Sequence, residues 1–322
     1  MSKLLNLLAL HGPKDVAAVL RNSGLEAPHG FVRGLDQAYD LGVHIDDLIR
    51  PLPEADDFRI MHRTGDGERW VFMERMPWDS AFFGYGVAKL HAIVSPMGPI
   101  DLRADATASA RAIEAAMEHA RDAGIRYVFT TVASSHLETI RALSSADFAL
   151  IETRCHYHKE LEVPAQRYPA REATYADTAS LARTARDMAN VYDRFHADPF
   201  ISPRDADRLM ERWVQASIQE GFADLTIVPD EDAPEAFCTA KLYRQHWDGW
   251  GLRLAQPILS AVSPRHKGWY LKLISEVGEV LRTRGAEHVF LTTQITNIAV
   301  LRTWAKLGYM FGKGEHVFRR LL

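Results

Sequence analysis

The chain has 322 residues, of which 47% are hydrophobic and 25% are charged, and its formal net charge is −4. This length and composition are typical of a soluble globular protein with two domains of about 150 residues each. The acidic net charge, without a long basic run, argues against nucleic-acid binding, and no apolar run approaches the length of a membrane span. Only Cys155 and Cys238 are present, so neither a disulfide framework nor a Cys-based metal site is expected.

The first half of the chain is predicted to contain a helical N-terminal extension, residues 1–55, and a first α/β domain, residues 56–163. Helices are predicted in the extension from apolar residues at helical spacing: Leu4, Leu7, Leu8, Val16, Val19 and Leu20. Its apolar start is too short for a secretory signal, so a cytoplasmic location is expected. The elements predicted for the first domain are strands at 58–62, 70–74 and 87–94, a helix at 106–123, and strands at 127–132 and 149–161.

A linker, residues 164–169, is predicted to lead into a second α/β domain, residues 170–322. Two helices are predicted before residue 218. The strands predicted after them are at 225–228, 236–243, 252–262 and 289–293. A hairpin turn at 248–249 is predicted to join the second and third of these strands.

Three basic residues, Arg265, His266 and Lys267, directly precede Gly268 at the predicted junction of a strand and a helix. A helix N-terminus offers unpaired N–H groups and the positive end of a dipole, and a glycine lets the backbone approach a ligand closely. The pattern therefore predicts a phosphate site. The alternative is a basic turn before an ordinary amphipathic helix.

A second strand and helix follow, with Val289–Thr293 as the strand and Asn297 at the start of the helix. Together the two segments resemble the acyl-CoA-binding half of the GCN5-related N-acetyltransferases (GNATs). The turn of that family reads Arg or Gln, two residues, Gly, one residue, then Gly or Ala; Arg265 and Gly268 match it and Tyr270 departs from it. The resemblance implies an α/β (α+β) fold of mixed sheets flanked by helices, acetyl-CoA or another acyl-CoA as co-substrate, and no metal.

The resemblance also implies which residues bind acyl-CoA: Ala261, Val262, Arg265, His266, Lys267, Gly268, Trp269, Tyr270, Asn297 and Trp304. Asn297 corresponds to the residue that contacts the pantetheine arm, and the strand 259–262 would supply an N–H group to the thioester carbonyl. The family's usual proton donor, a tyrosine seven residues after the asparagine, is replaced by Trp304, which has no acidic hydroxyl. The group that protonates the leaving thiolate is therefore open between another side chain and water.

The chain aligns with itself without gaps at a shift of 161 residues, which places Arg121–Thr131 over Arg282–Thr292. Identities are few, but the apolar spacing agrees, which favours two tandem GNAT-like domains over two generic helix–strand–helix units. The N-terminal copy is degenerate, because it has Ala104–Ser109 in place of the basic turn and His136 in place of Asn297. We expect it to shape the acceptor cleft rather than to bind coenzyme A.

Two further segments, Pro77–Gly84 and Arg194–Pro199, resemble stretches of the bacterial TDP-fucosamine acetyltransferases. That resemblance covers roughly residues 57–322 and implies acetyl transfer to the amine of a nucleotide-linked deoxyaminosugar. Trp78, Phe82 and Phe83, within the first segment, are expected in the core or at a domain interface.

Five more residues are candidates for chemistry or acceptor binding: His196 and Tyr309 as catalytic groups, and Arg194, Tyr243 and His246 as substrate contacts. His196 has the pKa range of a base, or it bonds a neighbouring aspartate or the backbone. Tyr309 donates a proton or belongs to the core. Arg194 binds a phosphate or pairs with an aspartate, and Tyr243 and His246 stack on a ligand or cover the sheet edge.

Two rival interpretations stay open beside the amino-sugar N-acetyltransferase. One keeps the chemistry and changes the acceptor, to an amino acid or a natural-product amine, or changes the acyl group. The other is a non-catalytic acyl-CoA-binding protein. The expected partner is a small-molecule amine, without nucleic acid or membrane; a homodimer is possible, and the sequence leaves the oligomeric state open.

Overall fold

The computed structural model describes residues 7–65 and 67–322, so the predicted contribution of Leu4 lies outside the described residues. The chain divides into two compact units. Met1–Gly30, Gln37–Ile151 and Glu315–Leu322 form the first unit, and Phe31–Asp36 and Glu152–Gly314 form the second. Each is a mixed sheet with helices packed on it, which confirms the predicted fold class.

The helices are, in chain order, α1 Leu7–His11, α2 Pro13–Asn22, α3 Gln37–Ile49, α4 Pro77–Phe83, α5 Thr107–Asp122, α6 Leu137–Ser145, α7 Thr178–Asp187, α8 Pro203–Gln219, α9 Trp247–Trp250, α10 Trp269–Thr283 and α11 Ile298–Lys306. The strands are β1 Ile60–Thr64, β2 Gly67–Arg75, β3 Gly86–Val94, β4 Ile125–Ala133, β5 Ala149–Glu160, β6 Ala170–Glu172, β7 Leu225–Pro229, β8 Ala236–Leu242, β9 Leu254–Val262, β10 His288–Gln294 and β11 Met310–Leu321.

The first unit orders its strands β1, β2, β3 and β4, with the C-terminal part of β11 beside β4. The pairs are antiparallel except for β3 and β4, which are parallel. The predicted strand pair is confirmed as β1 and β2, with Ile60 opposite Val71. Helix α5 packs on the sheet through an apolar stripe at helical spacing: Ala112, Ile113, Ala116, Met117 and Ala120.

The second unit orders its strands β5, β10, β9, β8, β7 and β6. Strands β9 and β10 are parallel, and the other pairs given by the register are antiparallel. The core lies between these strands and α10, whose buried apolar residues are Leu273, Ile274, Val277 and Leu281. This unit carries the basic turn.

The N-terminal extension is helical in its described part, as predicted, and it belongs to the core of the first unit. Its helices bury apolar residues against β2 and β3: Leu7, Val16, Leu20, Ile45 and Leu48 against Trp70, Phe72 and Val94. Residues 31–36 behave differently, because they belong to the second unit. There the N–H of Asp36 donates to the carbonyl of Trp250 at 2.9 Å.

The predicted 161-residue repeat is confirmed by the element bounds. Helices α6 and α11 begin and end 161 residues apart, and so do strands β5 and β11. Upstream of α6 and α11 the spacing of the elements differs between the two copies. Twelve residues separate β3 from α5, whereas six separate β9 from α10. The length difference therefore falls directly before the position of the basic turn.

Strands β5 and β11 each contribute residues to both units. Residues 154–160 of β5 pair with β10, and residues 315–321 of β11 pair with β4. The boundaries predicted from the sequence place β5 in the first domain and β11 in the second. In the structure, the later residues of β5, from Glu152, belong to the second unit, and the later residues of β11, from Glu315, belong to the first. The reason is that strand partners are chosen across long sequence separations, as for His156 opposite Thr292.

The predicted linker, residues 164–169, is held along α10 within the second unit. Glu276, on α10 and 2% exposed, accepts from Arg167 Nη2 at 2.9 Å and from the N–H of Tyr168 at 2.6 Å. Since the buried carboxylate needs both donors, this segment is part of the packed unit.

The predicted tight hairpin turn at 248–249 is wrong, although the predicted pairing of the two flanking strands is present. Strands β8 and β9 are antiparallel neighbours, but α9 occupies their connection and ends at Gly251 with a φ of 61°. Trp250, at 2% exposed, is among the largest fully buried side chains. Its burial outweighs the local Asp-Gly turn preference.

The segment Pro77–Gly84 forms α4, with Gly84 as a left-handed C-cap at a φ of 73°. Of the two places expected for Trp78, Phe82 and Phe83, the core is wrong, because α4 contains no buried residue among those described, and the domain interface stays a prediction. Trp78 is 49% exposed and stacks on Phe82, with ring centroids 5.6 Å apart.

Candidate functional site

The basic turn lies at the N-terminus of α10, a helix of 15 residues. Gly268 occupies the N-cap position with φ 90° and ψ −9°, a left-handed conformation that glycine adopts without steric cost. Among the described residues, no side chain caps this helix, and a Cβ built at Gly268 would meet no atom within 4 Å. The turn therefore offers the N–H groups of the first helical turn and room for a phosphate to approach them.

Two of the three basic residues of the turn face solvent. Arg265 exposes 60% of its side chain and lies 3.5 Å from a Glu235 oxygen, and Lys267 is exposed. His266 is buried, with its Nε2 at 2.5 Å from Oε1 of Glu231. We conclude that His266 fixes the turn against the β7–β8 connection, while Arg265 and Lys267 are the cations available to a ligand.

Strands β9 and β10 pair only at their starts, His288 opposite Leu254 and Val289 opposite Ala255. Beyond these pairs, residues 256–262 of β9, all of them described, have no partner on β10. The two strands therefore diverge toward their C-terminal ends. This divergence exposes one edge of β9 next to the turn.

Backbone N–H groups along the end of β9 alternate in direction. The N–H of Ser263 donates to the carbonyl of Glu235 at 2.9 Å, and the N–H of Leu259 donates to Thr239 Oγ1 at 3.1 Å. Both partners are on the β8 side. Because successive residues of an antiparallel strand direct their N–H groups to opposite sides, the even-numbered residues between them point away from β8.

Ser260 and Val262 are those even-numbered residues, and their N–H groups point into the divergence from β10. The prediction that strand 259–262 supplies a donor therefore narrows to these two positions. Ala261 directs its N–H toward β8, opposite Phe237, so it does not offer a backbone contact to a ligand there.

Asn297 lies at the N-cap position of α11, as predicted, although its side chain does not cap the helix. Its Nδ2 donates to Thr293 Oγ1 at 3.3 Å. The adjacent Gln294 bonds Asn190 at 2.7 Å and Glu152 at 3.0 Å. The start of α11 is thus tied to neighbouring segments of the same unit.

Tyr270 and Trp304, the two departures from the family pattern, contact each other. Trp304 Nε1 donates to Tyr270 Oη at 2.9 Å. Trp304 is 1% exposed, and burial raises the pKa of Tyr270 far above its usual value. Tyr309 is a core residue, as the second of its two interpretations predicted, and burial raises the pKa of Tyr309 as well. The nearby Trp269 carries the ammonium of Lys272 over its ring at 4.8 Å.

His196 has a carboxylate on each ring nitrogen. Nδ1 lies 2.7 Å from Asp193 Oδ2, and Nε2 lies 3.2 Å from Asp207 Oδ1. The hydrogen bond to Asp193 raises the pKa of His196 above 6.5. A ring that donates on both sides is a structural cation, so this geometry favours the non-catalytic interpretation. Arg194 stacks on Phe195, with its guanidinium carbon 4.3 Å from the ring centroid.

Tyr243 and His246 take part in packing around the β8–β9 connection. The hydroxyl of Tyr243 donates to Gln256 Oε1 at 2.5 Å, and burial raises the pKa of Tyr243 to about 12. Its ring stacks on Phe290, and the ring of His246 lies 5.0 Å from that of Trp250. The structure does not bring these two residues together with the basic turn through any described contact.

Three residues of the site were not singled out from the sequence: Ser260, Glu231 and Glu235. Ser260, like Val262, is identified by the alternating direction of the N–H groups along β9. That alternation can be assigned only when the pairing of β9 with β8 is known. The two glutamates lie in the acidic connection 230–235, and their proximity to the basic turn is a tertiary contact.

The corresponding region of the first unit lacks these features in its described residues. Helix α5 is preceded by Ala106 rather than a glycine. Strands β3 and β4 stay paired as far as Leu90 opposite Thr130. His136, at the position of Asn297, lies 3.1 Å from Glu26. This is consistent with one candidate acyl-CoA site, in the second unit.

Residues 7–65 and 67–322 contain no group of three or more His, Cys, Asp or Glu side chains that could hold a metal ion. No helix within these ranges is long and apolar enough to cross a membrane.

No family model matches the sequence, and no curated protein matches it. Solved structures do match the fold. A GCN5-related N-acetyltransferase from Sphaerobacter thermophilus superposes with a TM-score of 0.58 at 12% identity, covering 96% of this chain and 93% of the other. A tandem GNAT protein from the clavulanic acid biosynthesis pathway superposes with a TM-score of 0.51 at 12% identity, covering 99% and 97%.

The fold is that of the tandem GNAT proteins. A glucosamine N-acetyltransferase region of a fungal multi-domain β-N-acetylglucosaminidase also superposes, with a TM-score of 0.56 at 11% identity. That match covers 96% of this chain and 37% of the other. At these identities the similarity shows the GNAT fold alone.

The second GNAT unit fits an acyl-CoA in its outer part. The turn at Gly268 suits the pyrophosphate, and Ser260 and Val262 offer N–H groups along the exposed edge of β9. Tyr270 at the start of α10 and Trp304 on α11 contact each other through a part-buried hydrogen bond.

Proposed function

We propose that this protein binds acyl-CoA in its second GNAT unit and transfers the acyl group, acetyl in the first instance, to the amine of a small molecule. The observation that supports this is a glycine-capped, 15-residue helix beside strands that diverge. The first feature is suited to a pyrophosphate and the second to an extended arm.

The residues of the chain then have defined tasks. The N–H groups that follow Gly268, with Arg265 and Lys267, would hold the phosphates. A backbone N–H of Ser260 or Val262 would donate to the acyl carbonyl oxygen. When bound, acyl-CoA supplies an acyl group on a thioester that an amine can attack.

The test is charge reversal at the turn. We expect Arg265→Glu with Lys267→Glu to abolish acetyl-CoA binding in calorimetry, because two attractive charges become repulsive beside the phosphates. Arg208→Glu is the matched control, since Arg208 is an exposed residue of α8, away from the turn in sequence, with its Nη1 at 3.1 Å from Asp205 Oδ1. Unchanged affinity in the double variant would contradict the proposed site.

For the acceptor, we propose a nucleotide-linked deoxyaminosugar, on the strength of the segments Pro77–Gly84 and Arg194–Pro199. The experiment is thiol release from acetyl-CoA with a panel of TDP-amino sugars, free amino sugars and amino acids. Release with free amines but not with nucleotide sugars would overturn the acceptor class and leave acyl transfer standing.

A non-catalytic acyl-CoA-binding protein is the second candidate. It is favoured by the state of two tyrosines beside Trp304, since burial raises the pKa of both Tyr270 and Tyr309. A buried hydroxyl with a raised pKa is a poor acid for a leaving thiolate. Acetyl-CoA binding without thiol release for every amine tested would select this candidate.

A further inference from the structure

A cavity of about 160 Å³ lies within the first unit, between α3 on one side and strands β2 and β3 on the other. We name it the α3 cavity, because His44, Asp47 and Leu48 of that helix line it. A cavity of about 150 Å³ accommodates a molecule the size of benzene, with about six non-hydrogen atoms. The α3 cavity therefore has room for a small ligand.

The arginines that line the α3 cavity are both paired with carboxylates. Arg59 donates through Nε and Nη2 to the two oxygens of Asp57, at 2.8 and 2.5 Å. Arg50 donates through Nη2 to Glu74 Oε2 at 2.5 Å. Each guanidinium thus has a carboxylate that offsets its charge, and the lining residue Lys89 belongs to neither pair.

The charge that remains inside the α3 cavity is positive. Asp47 is exposed on α3, so water weakens the field of its carboxylate, whereas Lys89 is half-buried on β3. The histidines of the lining add no charge, because burial lowers the pKa of His44 to about 4 and also lowers the pKa of His91. Both imidazoles are neutral at pH 7 and each carries an N–H donor.

The rings leave hydrogen-bonding capacity unused. His91 Nε2 is buried and lies 3.1 Å from Glu74 Oε1, without the alignment of a hydrogen bond. Such a nitrogen is stabilised by a ligand that supplies a partner. One cation and two neutral imidazoles are suited to a ligand with a single negative charge and acceptor oxygens.

The rest of the lining is apolar and includes Leu48, Leu52 and Phe72. A ligand that fills the α3 cavity therefore needs a short apolar body beside its charged group. Inorganic phosphate has no apolar part and would bring up to two negative charges to one lysine. A carboxylate on a short aliphatic chain fits both halves of the lining.

We propose that the α3 cavity is a binding site for a short-chain aliphatic carboxylate, held by Lys89 and the neutral imidazoles, with its chain against the apolar residues. This site is separate from the proposed acyl-CoA site, because all of its lining residues lie between positions 44 and 91 of the first unit. The proposal does not depend on acyl transfer.

The experiment titrates acetate, propionate, butyrate and hexanoate into the full chain at pH 7, and follows the ring signals of His44 and His91 by NMR. We expect saturable shifts of both rings. Affinity should rise about fourfold for each added CH₂ as far as butyrate and fall for hexanoate, because about six non-hydrogen atoms fill the space. Propylammonium, of similar size and opposite charge, should leave both signals in place.

We expect Lys89→Gln to weaken butyrate binding by about tenfold or more, because a charge-assisted contact is lost. Lys14→Gln is the matched control, since Lys14 is an exposed lysine of α2 in the same unit. Leu52→Phe, which fills the cavity without changing a charge, should weaken binding too. It keeps the test available if thermal unfolding shows that Lys89→Gln is not folded.

Three results would overturn the carboxylate site. They are ring signals that no carboxylate moves, tighter binding of propylammonium or inorganic phosphate than of butyrate, and wild-type butyrate affinity in both Lys89→Gln and Leu52→Phe. Acetyl-CoA binding is measured on the same samples by calorimetry, so failure of the carboxylate site is distinguishable from failure of the proposed function.

Discussion

His196 shows how a residue with suitable chemistry can be committed to structure. Its ring bridges two aspartates, one before α8 and one within it, and its side chain is 10% exposed. The pairing raises the pKa of His196, so the folded protein binds this proton more tightly than the unfolded chain does. The stabilisation is complete below pH 6.5, the ordinary value, and is lost as the pH rises through the raised pKa.

We predict that His196→Ala lowers the free energy of unfolding by about 2 kcal/mol at pH 6, because two charge-assisted hydrogen bonds are lost. The difference from wild type should shrink toward pH 9. Chemical denaturation at a series of pH values measures it, and NMR of the imidazole gives the pKa directly. A difference that stays constant across this range, or an imidazole that titrates below 6.5, would contradict the prediction.

At the scale of elements, the site depends on how α10 begins. The helix starts at a glycine in a left-handed conformation, directly after a short turn that leaves β9. A residue with a Cβ is strained in that conformation, and its Cβ would also occupy the space over the first N–H groups. The same helix contains a second glycine, Gly278, in its regular interior.

We predict that Gly268→Ala lowers stability by about 1 kcal/mol and weakens acetyl-CoA binding by about fivefold or more. Gly278→Ala is the matched control. Its Cβ would lie 3.4 Å from Leu161 Cδ2, a flexible contact, and alanine in a helix interior gains about 0.5–1 kcal/mol. The idea fails if thermal unfolding and calorimetry show the same effect for both substitutions.

At the scale of the whole molecule, the end of the chain completes the first unit. Phe318 of β11 is 4% exposed in that unit's core, and Arg320 donates to both oxygens of Glu114 on α5, at 2.6 and 3.0 Å. The earlier part of the same strand contains Phe311, which is 58% exposed. The stability of the N-terminal unit therefore depends on the last eight residues, Glu315–Leu322.

We predict that Phe318→Ala destabilises the first unit by about 3 kcal/mol or more, because a fully packed ring is removed. Phe311→Ala, on the same strand, should change stability by about 0.5 kcal/mol or less. Hydrogen exchange of the amides of α5 is the readout that assigns the effect to the first unit. Equal costs for the two substitutions, or unchanged exchange in α5, would contradict the role given to the C-terminus.

The sequence by itself determined the local elements and their repetition. Helices α5 and α11 and strands β5 and β10 were predicted, because apolar periodicity is a property of adjacent residues. The place of the turn at Gly268, before α10, followed from the same local signals. The two departures from the family pattern, at Tyr270 and Trp304, were also visible in the sequence.

Only the tertiary structure decided what those side chains contact. The hydrogen bond between Trp304 and Tyr270 joins residues 34 positions apart, and Arg320 reaches Glu114 across 206 positions. Likewise, His266 is buried with its ring against Glu231, and β5 and β11 each supply residues to both units. Burial and strand pairing decide these contacts, and both depend on segments far away in the chain that no local pattern encodes.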